Sequence, residues 1–163
     1  MPVPPIKPTA IAVYIFRRPA PSSPAVEFLQ IHRSAKANGH QHSWQTVYGG
    51  IEPNETAVDA ALRELKEETS LTPARMFQVE YLEQFYFRPS DSLLLMPVFG
   101  VEIPATATPT LNHEHDDFRW VSESQIDTAF MWRTQREALH ILLDALRTDS
   151  PAMRFLTIIP PSA

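Results

Sequence analysis

The sequence predicts an α/β domain with a mixed β-sheet lying between helices. Runs rich in β-branched and aromatic residues alternate with two amphipathic helical stretches, in the order strands, helix, strands, helix. The chain has 163 residues, 44% hydrophobic and 20% charged, which suits one domain with a real core. It contains no cysteine, so no disulfide framework, thiolate zinc site or cysteine nucleophile competes with that reading.

The elements follow in order. Residues 1–8 read as an extended arm, because Pro2, Pro4, Pro5 and Pro8 exclude helix and regular pairing. Thr9–Arg17 and Ala25–Arg33 are strands, expected to pair across the loop PAPSSP. SAKANGHQHS is a polar loop, and WQTVYGG a short strand ending in a turn. Thr56–Thr69 is a helix. Thr56 caps it, Asp59 completes a capping box, and Ala57, Ala61, Leu62 and Leu65 form the buried stripe. Met76–Arg88 and Ser92–Ile103 are β-like runs split by PSD, which predicts a hairpin. Asp117–Val121 is a short strand. Thr134–Thr148 is an amphipathic helix with Leu139, Leu142, Leu143 and Leu146 on one face. The body of the domain is residues 9–148. The tail, 149–163, carries an apolar patch suited to an edge strand packed on the domain.

The formal net charge of -5 argues against a stable nucleic-acid complex or an anionic membrane surface. No apolar run reaches membrane-spanning length, and the N-terminus lacks the pattern of a signal peptide, so a cytoplasmic location is expected.

The segment RELKEE crowds Glu64, Glu67 and Glu68 onto one short stretch. On a helical wheel Glu68 lies about 40° from Glu64 on one side and Glu67 about 60° on the other. Like charges that close repel. A bound cation would compensate, and oxygen donors at that density suit Mg²⁺, with Mn²⁺ as an alternative. By itself the pattern serves equally as a solvated helical face.

The wider spacing resembles the Nudix box. Gly49, five residues, Glu55, seven residues, then Arg63-Glu64-Leu65-x-Glu67-Glu68 and Leu71 match it, and Ser70 stands where the box has glycine. Asn54 sits where members often have glycine, and Tyr48 where many have the first of two glycines. The resemblance implies a loop–helix–loop catalytic element in an α/β/α sandwich. It further implies Mg²⁺-dependent hydrolysis of a nucleoside diphosphate linked to another group. Glu64, Glu67 and Glu68 would bind metal or activate the attacking water, joined by the backbone carbonyl of Tyr48. Arg63 and Glu55 would hold helix and loop in register behind Gly49.

EHDDFRWV and MWRTQREAL resemble the end of the dihydroneopterin triphosphate pyrophosphatases, and SWQTVYG another of their segments. That likeness makes Glu114 an outlying metal ligand. Arg33, Trp44, Tyr48, Trp132 and Arg136 are the candidate substrate contacts, and Trp120 is read as core. The pairs His40/His42 and His113/His115 raise a zinc reading, but no cysteine or ordered third ligand accompanies them. His40 and His42 serve equally for substrate phosphate.

The expected function is Mg²⁺-dependent cleavage of a phosphoanhydride bond in a nucleoside or pterin triphosphate, by water attack at phosphorus. The alternatives are a non-catalytic nucleotide sensor on the same fold and a dinucleoside polyphosphate or nucleotide-sugar hydrolase. A diphosphate isomerase lacks its usual cysteine here, and the acidic charge disfavours RNA decapping. A monomer or homodimer is expected.

Overall fold

The structure is a computed structural model that describes residues 6–20, 23–38, 40–148 and 150–160. Most of the expected N-terminal arm, part of the PAPSSP loop, Gly39, and parts of the tail lie outside the described residues.

The central strand β1 (Ala10–Arg17) has six consecutive buried residues, Ile11 to Phe16. Side chains alternate across a strand, so such a run must be covered on both faces. Ile11, Val13 and Ile15 pack with Ala60, Ala61 and Leu65 of helix α1 (Ala57–Thr69). Ala12, Tyr14 and Phe16 pack with Ala138, Leu139, Leu142 and Leu143 of a later helix, Arg133–Arg147. Two cores on opposite faces of one sheet make the expected α/β/α sandwich.

The sheet is mixed. Strand β2 (Glu27–Arg33) pairs antiparallel with β1 only at Phe16↔Phe28 and Arg17↔Glu27. It then leaves β1 and pairs with β3 (Trp44–Gln45) and β7 (His115–Ser122). The vacated edge of β1 is taken by β4 (Val47–Gly50), antiparallel, Ala10↔Gly50 to Val13↔Val47. WQTVYGG is therefore two strands rather than one. Thr46 separates them, buried, with its hydroxyl donating to the Val13 carbonyl.

On the other side β1 pairs parallel with β6 (Ser92–Glu102), which forms the expected hairpin with β5 (Arg75–Phe87). After β7 come a short helix α2 (Ile126–Ala129) and α3 (Arg133–Arg147). The tail forms one helical turn, α4 (Met153–Leu156), and β8 (Thr157–Ile159), which pairs with β5 at the sheet's edge. Among the described residues no helix is long and apolar enough to cross a membrane.

Candidate active site

Helix α1 starts and stops as its sequence dictates. The Thr56 hydroxyl accepts from the Asp59 N–H, and the Asp59 carboxylate accepts from the Thr56 N–H. Ser70 ends the helix in left-handed geometry, φ 56°, with its N–H donating to the Lys66 carbonyl. Asn54, φ 68°, makes the left-handed turn before the helix.

Arg63 ties the loop to the helix. Its Nε donates to Glu55 Oε1 at 2.9 Å and Nη2 to Glu55 Oε2 at 3.0 Å, a two-point fork. Nη2 also donates to the Gly50 carbonyl at 2.8 Å. Glu55 in turn accepts from the Glu52 N–H. The guanidinium beside it holds the Glu55 carboxyl below its ordinary pKa.

The three glutamates are graded across the helix flank. The Glu67 side chain is 56% exposed and the Glu64 side chain 15%, whereas Glu68 is buried. Arg63 Nη1 donates to Glu64 at 2.7 Å and to Glu67 at 3.2 Å. Glu68 Oε2 has no hydrogen-bond partner. Burial, then the charges of Glu64 and Glu114, push its carboxyl up to about 9. Burial also raises Glu64.

Gly49 explains how Glu64 fits. A Cβ on Gly49 would lie 2.1 Å from Glu64 Cγ, so the side chain occupies the space a larger residue would fill.

Glu114 reaches this flank through the loop before β7. The Asn112 N–H donates to the Glu68 carbonyl, and the Glu114 N–H to Asn112 Oδ1. The Ser34 N–H holds the Glu114 carbonyl, and Arg33 Nη2 lies 3.4 Å from Glu114 Oε2. Arg33 also donates to the Asn38 carbonyl at 2.7 Å.

Tyr48 lies one residue before Gly49. The Ile51 N–H donates to the Thr9 carbonyl, which sets the phase of the β1–β4 ladder. Antiparallel pairs alternate, so the carbonyls of Tyr48 and Gly50 both turn away from β1. Gly50 meets Arg63 there, and Tyr48 presents its carbonyl along the same edge.

The residues present fit a hard divalent cation. An unpartnered buried carboxylate, like-charged neighbours and a carbonyl along one edge supply oxygen donors and an unmet need for positive charge. Among the described residues, however, no three His, Asp or Glu side chains converge on one point, because Arg63 draws Glu64 and Glu67 to itself. The same holds for the histidine pairs. His115 is buried with Nε2 unpartnered and its pKa lowered to about 4, while His113 is exposed.

A cavity of about 460 Å³ adjoins the acids, with Arg33 and Gly49 shared between the two. Tyr48, Trp132 and His40 line it. Trp132 makes edge-on ring contacts with Phe85 and His40, centroids 5.7 and 5.8 Å apart. Trp44 and Arg136 do not line it. Trp44 stacks with Arg119, whose guanidinium carbon is 4.3 Å from the ring centroid, and meets His32. Arg136 donates to the Phe130 and Met131 carbonyls at the end of α2. Trp120 is half-buried under Arg17, not fully core.

Among the lining residues, the acid Glu83 was not anticipated. Glu83 of β5 is 2% exposed and accepts from Tyr14 Oη at 2.6 Å and Tyr48 Oη at 3.0 Å. Strand parity could have found it. Val79, Tyr81, Phe85 and Phe87 are inward-facing apolar positions of the same strand, and Glu83 shares their phase.

Two curated relatives and a solved structure bear on identity. The chain is 32% identical over 120 residues to an octanoyltransferase of Myxococcus xanthus, covering 72% of this chain and 31% of that protein. It is 46% identical over 100 residues to an RNA pyrophosphohydrolase of Histophilus somni, covering 50% and 52%. The matched part of the chain spans 31% and 52% of the length of these two relatives. The E. coli dihydroneopterin triphosphate pyrophosphohydrolase structure shares the fold, with a TM-score of 0.65, 20% identity, and coverage of 85% and 99%. Residues 7–142 match the family model of the NUDIX domain, and the chain belongs to that family.

Proposed function

We propose that the chain is a divalent-metal-dependent pyrophosphohydrolase of a small phosphoanhydride, a nucleoside or pterin triphosphate. The observation that carries this reading is the buried Glu68 carboxylate, partnerless at Oε2 among other acids and next to a cavity of ligand size. Glu64, Glu67, Glu68, Glu114 and the Tyr48 carbonyl would hold Mg²⁺ or Mn²⁺. Bound there, the ion would screen the phosphate charge that repels nucleophiles and would acidify water.

The chain's own groups do the rest. Arg63 locks the loop through Glu55 and holds Glu64 and Glu67, and those two carboxylates would turn from the guanidinium toward an ion that binds. The proton of the attacking water passes to one of the three glutamates. Burial makes Glu64 and Glu68 stronger bases than an exposed carboxylate. Arg33, which lines the cavity beside Glu114, would meet phosphate oxygens.

The test is phosphate and pyrophosphate release from a panel of nucleoside triphosphates, dinucleoside polyphosphates, nucleotide sugars, dihydroneopterin triphosphate and a 5′-triphosphorylated RNA. Each is assayed with Mg²⁺ and with EDTA. Mg²⁺-dependent release is expected from a triphosphate, and Glu68→Gln should lower it at least about 100-fold with the fold intact. Binding without release across the panel would instead support the sensor reading. Near-normal activity of Glu68→Gln would remove Glu68 from the machinery.

A further inference from the structure

We propose that Glu83 is a specificity-determining residue of the cavity, a fixed acceptor for a planar heterocycle with two adjacent N–H donors. The 2-amino-4-oxopyrimidine edge of guanine and of pterins is that pattern. The proposal rests on the reading above only for the direction of the phosphates, which point toward the acids of α1.

The argument starts from the polarity of a buried hydrogen-bond chain. The Trp132 backbone N–H can only donate, and it meets Gln135 Oε1 at 3.4 Å. The buried Gln135 amide is thereby oriented, and its Nε2 faces Tyr48 Oη at 3.1 Å. An amide nitrogen only donates, so Tyr48 Oη accepts from Gln135 and must give its own proton onward. It gives it to Glu83 Oε2. Tyr14 Oη, also buried, gives its proton to Glu83 Oε1. Every link runs toward Glu83. Oε2 is held as an acceptor by this chain, and Oε1 accepts from Tyr14.

The donors that hold Glu83 are neutral hydroxyls, so they satisfy lone pairs without cancelling charge. A carboxylate has about four lone-pair sites. The two tyrosines take one on each oxygen and leave one on each. The Thr134 hydroxyl also reaches Glu83. A hydroxyl rotates and can accept as well as donate, so Thr134 can give way to a stronger donor or turn to a ring oxygen. The surroundings are otherwise apolar: Met96 lies directly across the strand pair, Leu94 opposite Phe85, and Trp132 edge-on to Phe85. A flat ring fits between such walls. An acceptor fixed within them favours a ligand edge made of donors and rejects one that presents an acceptor.

Ring chemistry then sorts the ligands. Guanine and pterins offer a ring N–H beside an amino group, matching both carboxylate oxygens. Hypoxanthine keeps the ring N–H and loses the amino group. Adenine places a bare ring nitrogen beside its amino group, an acceptor facing an acceptor.

The experiment is equilibrium binding by calorimetry in EDTA, so that no turnover is needed. The probes are guanosine, inosine and adenosine diphosphates and neopterin, each with the wild type and with Glu83→Gln, whose fold is checked by thermal melting. The wild type should bind guanosine diphosphate about tenfold or more tighter than inosine diphosphate, with adenosine diphosphate weaker still. Glu83→Gln should bring guanosine diphosphate down to the inosine level and weaken neopterin. The tighter of the two wild-type ligands identifies which carrier of the shared edge the cavity takes. Equal binding of the three diphosphates by the wild type, within about twofold, would overturn the assignment, and that comparison needs no variant. So would a Glu83→Gln protein that keeps the guanosine preference. Because EDTA removes catalysis, a protein that binds as described but hydrolyses nothing would refute the proposed function and leave this inference standing.

Discussion

Gly49→Ala tests whether the loop before α1 is shaped around the Glu64 side chain. The added Cβ would lie 2.1 Å from Glu64 Cγ, 2.2 Å from Cδ and 2.3 Å from Oε1. Carbon atoms in contact sit about 3.5 Å apart or more, so Glu64 must retreat by roughly 1.4 Å. The backbone at Gly49 is not left-handed, so the penalty is this contact alone. Glu64 can swing away, because the obstructed atoms belong to a flexible side chain. The expected stability loss is therefore modest, about 1–2 kcal/mol, or a fall of roughly 2–8 °C in Tm. The catalytic loss should be larger. A retreat of that size breaks the 2.7 Å contact with Arg63 and misplaces a carboxylate the reaction needs, which costs about 100-fold. The assay is steady-state turnover with Mg²⁺ beside a thermal melt, run on wild type, Gly49→Ala, Glu64→Ala and the double variant. If Glu64 is what the methyl group strikes, adding Gly49→Ala to Glu64→Ala should change little. Activity of the single variant within twofold of wild type, or a second full loss on the Glu64→Ala background, would refute the reasoning.

Glu68 predicts a pH signature. Its folded pKa is raised to about 9, so the fold favours the neutral acid. That contribution is complete below the ordinary glutamate range and is lost as pH climbs toward 9. In EDTA the wild type should lose stability over that window relative to Glu68→Gln, and Mg²⁺, which needs the ionised form, should restore more Tm at pH 8.5 than at pH 6; parallel profiles for the two proteins would contradict this. Ser70→Gly relieves a left-handed serine at the end of α1. It should gain up to about 1 kcal/mol, less the extra freedom glycine adds to the unfolded chain, read as a higher urea midpoint; a lower midpoint would show that the serine is not strained.

What the sequence made legible was local. Helix α1 could be bounded because its cap, its stripe and its left-handed stop are all set by residues within a few positions of one another. The Glu55–Arg63 fork was legible only through the resemblance to the Nudix box. Partners brought together by topology were harder to see. Nothing near Glu27–Arg33 says that β4 will take most of β1's edge and send β2 to β7. Glu114 meets Glu68 only because Asn112 binds the last turn of α1. Trp44 stands close to the catalytic loop in sequence, yet Arg119, from a strand far along the chain, holds it away from the cavity. Glu83 was hidden by an inverted pattern. Its neighbour Leu82 is 39% exposed and Tyr86 54%, while the glutamate between them is buried. Hydrophobicity taken residue by residue places Glu83 on the wrong face, and only the phase of the whole strand corrects it.

Glu68 and Glu83 are both buried carboxylates raised in pKa first by desolvation, Glu83 lining the cavity and Glu68 behind Arg33 and Gly49 at its edge, yet their surroundings ask for different partners. Around Glu68 the nearby charges of Glu64 and Glu114 deepen the cost of ionisation, and Oε2 has no donor. A neutral ligand group could fill that hydrogen bond but would leave the repulsion standing; only positive charge removes both. Around Glu83 the tyrosine hydroxyls lower the cost instead, and the chain through Gln135 fixes the direction of the Tyr48 proton. A cation there would meet tyrosine hydroxyls whose protons are already engaged with Glu83, beside Phe85, Leu94 and Met96. A ring with paired N–H groups loses little water and meets both oxygens. On the proposed reading the two acids would divide one molecule between them. A metal held by the α1 acids would draw its anionic end, and its heterocycle would lie on the α3 face against Glu83. Tyr48 and Gly49, adjacent in β4 and facing opposite sides of the sheet, would then be where the two halves join.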